Sequence, residues 1–117
     1  MRAELIKRFR QFAIDVALLI NDLPKNIVNN TYNGQLIRLS SSSGANYRAS
    51  QRGKSTADFI NKLKIVEEEL DESIFFLDLL HFFNIPFQNR MDVLMKEANE
   101  LLAITVASIK TARNNNK

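Results

Sequence analysis

Cysteine and tryptophan are absent from this 117-residue chain, which has only three glycines, two prolines and one histidine. Without cysteine there is no disulfide framework, no thiolate metal site and no Cys–His nucleophile pair. One histidine cannot supply the two Glu-x-x-His motifs of a di-metal bundle centre. No apolar run reaches membrane-spanning length, and the opening residues MRAELIKRFR are charged throughout. Neither a signal peptide nor a transmembrane helix is therefore expected, and a cytoplasmic location fits the lack of cysteine. So few glycines and prolines favour long uninterrupted helices, and the length suits one domain.

What is present is helical periodicity. Leu5, Phe9, Phe12, Val16, Leu19 and Leu23 alternate at four and three residues, predicting a helix over 2–22 that Pro24 stops. Phe59, Leu63, Val66, Leu70, Ser73, Leu77 and Leu80 repeat in the same way and predict a helix over 56–83, begun by Ser55 with Asp58. Between them, a helix over about 31–52 is expected to turn Tyr32, Leu36, Leu39, Ser43 and Asn46 or Tyr47 inward. Asn29 or Asn30 would cap its start and Gly53 its end. Pro86 breaks the third helix, and a fourth is expected over about 90–113. Four helices with short connections predict an all-α, up-down-up-down antiparallel four-helix bundle.

The stretch SSSSGANYRASQRGKS, Ser40 to Ser55, invites two other readings. Gly53-Lys54-Ser55 matches the tail of a phosphate-binding loop, but Arg48 stands where that motif needs its first glycine, and no strand precedes it. A linker at Ser40–Gly44 would leave helical pieces too short to match the first helix. Keeping the run helical costs about 3 kcal/mol against alanine, at roughly 0.5 per serine and 1 for glycine. Close packing of small side chains against a neighbouring helix can offset that. Asn46 on this seam would fix register.

The same residues carry a resemblance. Arg38, Ser42, Gly44-Ala45-Asn46-Tyr47, then Ser55, Asp58-Phe59-Ile60, Lys62-Leu63, then Glu68-Glu69 and Glu72-Ser73 resemble the signature of the four-helix-bundle family named for proteins encoded in 23S rRNA intervening sequences. The segment EANELLAITVASIKTAR is similar to that family's fourth helix. Many relatives carry Glu where this chain has Ala49. The chain is also similar to the accessory variability protein of diversity-generating retroelements, a basic protein that works with a reverse transcriptase and nucleic acid. The resemblance implies a ring-shaped homopentamer. It assigns no molecular role to most of the family.

Charge adds a separate expectation. An up-down bundle gathers Arg2, Lys7, Arg8, Arg10, Arg48, Arg52, Lys54, Lys62, Lys64, Lys110, Arg113 and Lys117 at one end. These are twelve of the 16 basic residues, and only Glu4 and Asp58 of the 13 acids are expected there. The net charge of +3 thus hides a polar distribution. A nucleic-acid contact through Arg8, Arg48, Arg52, Lys54, Lys62, Lys110 and Arg113 is expected. Tyr47 offers base stacking or core packing. An acidic protein partner is the alternative. On the third helix Phe75, Leu79 and Phe82 fall opposite the core stripe, which predicts a subunit interface unless the 84–89 loop and the fourth helix cover them. Asp78-x-x-His81 is a single weak metal match, and EEELDE reads as a solvated acidic face. No catalytic constellation, metal or cofactor is expected.

Overall fold

The computed structural model describes residues 2–115. Four helices follow in order: α1 (Arg2–Asp22), α2 (Ile27–Ser50), α3 (Thr56–Phe83) and α4 (Gln88–Asn115), with a 3₁₀ turn at Ile85–Phe87. Each packs antiparallel on the next, and α4 returns to close loosely on α1. The rod measures 49 × 21 × 20 Å, which suits 28-residue helices of roughly 42 Å. Both predicted stripes line the core, with only Phe59 half-exposed.

The serine run is helical throughout. Ser40 and Ser43 are fully buried, and Ser43 Oγ donates to the Ser40 carbonyl at 2.8 Å, so the hydroxyl stays satisfied inside its own helix. A Cβ on Gly44 would meet the Phe9 backbone at 3.6 Å, so α1 and α2 approach closely here. Tyr47 stacks on Phe9 with ring centroids 4.5 Å apart. It is buried, which raises its phenol pKa, so it packs in the core and offers no face to a base. Asn46 Nδ2 donates to Glu69 Oε1 at 3.0 Å and ties the register of α2 to α3.

Four helix ends differ from expectation, α4 running two residues further than expected, to Asn115. Asn26, not Asn29 or Asn30, caps α2, and its Oδ1 accepts from the Asn29 N–H at 2.8 Å. Asn29 is drawn into the core instead. Its Nδ2 donates to Asn84 Oδ1 (2.8 Å) and to the Pro24 carbonyl (2.9 Å). Asn84 Nδ2 donates back to Asn29 Oδ1 (2.9 Å) and to the Leu80 carbonyl (2.8 Å). The α1–α2 and α3–α4 connections are thereby joined. At the other end α2 stops at Ser50, because the N–H groups of Gln51, Arg52 and Gly53 bond three residues back and tighten the chain. Gly53 is not a left-handed cap. Its Cβ would sit 3.1 Å from Asp58 Oδ2 and 3.2 Å from the Ser50 carbonyl, so closeness is what suits glycine there. The fourth helix starts two residues early at Gln88, whose side-chain amide donates to the His81 carbonyl at 3.0 Å.

Candidate nucleic-acid interface

The antiparallel topology brings the start of α1, the α2–α3 turn and the end of α4 to one end of the rod. Arg48, Arg52, Lys54, Lys110 and Arg113 are exposed there, and none forms an ion pair among the described residues. Lys117, also expected at this end, lies outside the described residues.

Two expected members are engaged within the chain. Arg8 Nη2 lies 2.6 Å from Glu97 Oε1 and 3.2 Å from Glu100 Oε1, and its Nε donates to Glu97 Oε2 at 3.0 Å. The Glu97 hydrogen bond is the main cause holding the guanidinium pKa above its ordinary value. Arg8 therefore clamps α1 to α4, and its charge is met by Glu97 and Glu100 within the chain. Two acids expected elsewhere sit at this height. The clue was available, since Glu97 and Glu100 are three apart and share one face of a helix. Lys62 Nζ lies 3.0 Å from Asp58 Oδ1, a local pair one turn apart that leaves it half-occupied. Asp58 also accepts from the Lys54 N–H at 3.2 Å, while Ser55 Oγ accepts from the Asp58 N–H at 3.1 Å. The Lys62 hydrogen bond first, then that from Lys54, depresses the Asp58 pKa.

The expected subunit face is uncovered. Phe75 and Phe82 are 56% and 75% exposed. Leu79 is half-buried in a shallow groove of about 450 Å³ with Asp78, His81 and Ile85. Neither the connection nor α4 hides the two rings. Phe75 rests edge-on against Phe76, and Phe82 against Phe83. His81 Nε2 lies 3.0 Å from Asp92 Oδ1, tying α3 to α4. Among the described residues no three His, Asp or Glu side chains gather as a metal site, and no helix is long and apolar enough to cross a membrane.

These features define a small all-α four-helix bundle with one basic end and one uncovered apolar face. A crystallised protein of unknown function from the S23 ribosomal protein family, from Bacteroides thetaiotaomicron, is similar to this chain in structure. The two share 25% identity and a TM-score of 0.79, over 91% of this chain and 98% of that one. No protein-family model and no curated protein matches this chain.

Proposed function

We propose that this chain is a non-catalytic, self-associating bundle of the 23S rRNA intervening-sequence type that binds nucleic acid through its basic end. The observation that carries the reading is the cluster of exposed cations, Arg48, Arg52, Lys54, Lys110 and Arg113, without carboxylate partners among the described residues. Asp58 offsets part of the field near Lys54, and the remaining cations direct theirs at a polyanion. The sequence resemblance and the family named for the structural neighbour support the bundle type alone. Self-association rests on the exposed Phe75 and Phe82, and a ring of copies would multiply the basic end. No element among the described residues resembles a base reader, so contacts fall on phosphates and sequence preference is weak.

Binding to duplex DNA and to RNA across a salt series tests this. The log of the association constant should fall linearly with log salt, at about 0.9 per contacted phosphate on duplex DNA. Lys54→Glu with Lys110→Glu should weaken binding to all sequences alike and flatten the slope. Lys25→Glu with Lys96→Glu, outside the cluster, should change little. Absence of binding at about 50 mM salt, where this effect is strong, would overturn the reading and leave an acidic protein as the partner of the basic end.

A further inference from the structure

The outer face of α3 has two halves. Glu68, Phe75 and Phe82 succeed one another every seven residues along it, with Glu72 and Leu79 one turn further on. The part of this stretch at the middle of α3, Glu68 to Glu72, is acidic. Glu68, Asp71 and Glu72 are exposed and form no ion pair among the described residues. The other half is apolar.

A groove of about 330 Å³ between α1 and α2 has the opposite make-up. Ala13, Ile14, Ser41 and Ala45 give it small side chains and a largely apolar floor, and Arg10 and Arg48 stand over it. Both arginines are exposed and unpaired among the described residues. Ile37, also exposed, continues the apolar floor one helical turn beyond Ser41, away from the basic end.

Contacts between helices set the heights of these groups along the rod. Asn46 meets Glu69 and Asn29 meets Asn84, so residues 68–72 of α3 stand level with about 42–46 of α2. Phe75 to Phe82 stand level with about 32–39 on the same basis. Phe9 stacks on Tyr47, which puts Arg10 near the height of Asn46. A second copy moved sideways, its axis kept parallel, therefore brings Glu68, Asp71 and Glu72 to Arg10 and Arg48. The same movement brings Phe75 to Ile37. Charge and apolar character match in one register.

We propose that the α3 face of one copy docks in the α1–α2 groove of a second copy. The contact rests on the self-association reading above, and it moves Arg48 from the nucleic-acid end to the subunit boundary. Because α1 packs on α2 and α4 but not on α3, the two surfaces lie on different sides of the rod. Each copy thus offers both, and the contact is heterologous, the kind that builds rings or filaments. A face-to-face contact of two α3 helices would instead set Asp71, Glu72 and Asp78, which flank the rings, against their own like, and like charges in a boundary are unfavourable.

Mixing two blocked chains tests this. Phe75→Glu blocks the face and leaves the groove, while Ala45→Glu blocks the groove and leaves the face. Ser41→Glu is a second groove variant, and both groove positions are exposed, so folding is spared. Each variant alone should lose assembly and sediment as one 13.4 kDa chain. Equal parts of the two should give a one-to-one dimer that grows no further. If the mixture stays at the mass of one chain while the unaltered protein is larger, the docking is wrong and self-association uses other surfaces. Assembly that survives in either groove variant overturns it too. A single-chain mass for the unaltered protein at tens of micromolar, roughly where specific interfaces hold, overturns the self-association reading itself.

Discussion

Replacing Asn84 with alanine should be the most costly single change outside the apolar core. The substitution removes three hydrogen bonds: two donated by Asn84, to Asn29 Oδ1 and the Leu80 carbonyl, and one accepted from Asn29 Nδ2. Asn29 keeps its bond to the Pro24 carbonyl, but its own Oδ1 loses its partner while fully buried. An orphaned buried acceptor costs about 1–3 kcal/mol, and a typical hydrogen bond contributes about 1 net. A loss of about 3 kcal/mol is expected once these overlapping contributions are taken together. With an unfolding entropy near 2.1 cal/mol/K per residue, that lowers Tm by roughly 12 °C for a chain of this size. Urea unfolding followed by far-ultraviolet circular dichroism measures it, at one fixed protein concentration, because association shifts apparent stability. The cycle with Asn29→Ala is the sharper check. Removing both amides leaves no orphan of the pair, so the double variant should lose less than the two singles added, by about 1–3 kcal/mol. Additive losses, or a single-variant loss below about 0.5 kcal/mol, the size of an ordinary surface substitution, would show that the reciprocal pair does not hold the two connections together.

Gly34 lies inside α2 with no atom within 4 Å of where its Cβ would be. Gly34→Ala should therefore stabilise the fold by about 1 kcal/mol through helix propensity and the unfolded chain, and a lower urea midpoint would contradict the open space. Asp58→Asn should lower Tm at neutral pH. A depressed carboxylate stabilises the fold above its unfolded value and loses that contribution as pH falls through its folded value. The Tm gap between Asp58→Asn and the unaltered chain should hence be widest near neutrality and close below about pH 4. A gap that persists undiminished in acid would mean that charge at the start of α3 is irrelevant.

How much of this was legible in the sequence follows from how local each interaction is. Heptad stripes are local, and α1 and α3 fall where the spacing puts them. The serine run reads as a helix because topology demands its length, even though propensity opposes it. Asn26, Asn29 and Asn30 are chemically equivalent as caps. Only Asn84, 55 residues further on, decides that Asn29 goes inward and Asn26 caps. The same limit applies to Arg8. Counting charges by helix end assigns it to the basic cluster, but the crossing of α1 over α4 hands it to Glu97 and Glu100. Exposure of Phe75 and Phe82 was legible, since their position opposite the core stripe fixes it. The α1–α2 groove was not, because its walls come from two helices and its floor from side chains with no signal but smallness.

Charge separation along the rod then has a physical rationale that the mild net charge conceals. The carboxylates of α3 lie beside the apolar stripe, and the unpaired cations lie beyond it, at the end where α2 turns into α3. Were the acids spread evenly, each arginine of the basic end would find a partner within its own chain, as Arg8 does. Its field outside the protein would then be largely cancelled. Grouping the α3 acids other than Asp58 between Glu67 and Asp78 leaves Arg48, Arg52, Lys54, Lys110 and Arg113 without an ion pair among the described residues of one copy. It also gives a parallel neighbour something to recognise besides exposed phenylalanine. Charge steers the approach and sets the height, while the buried rings resist separation. In the proposed contact only Arg10 and Arg48 are spent on the neighbour, so Arg52, Lys54, Lys110 and Arg113 of every copy stay available to a phosphate backbone.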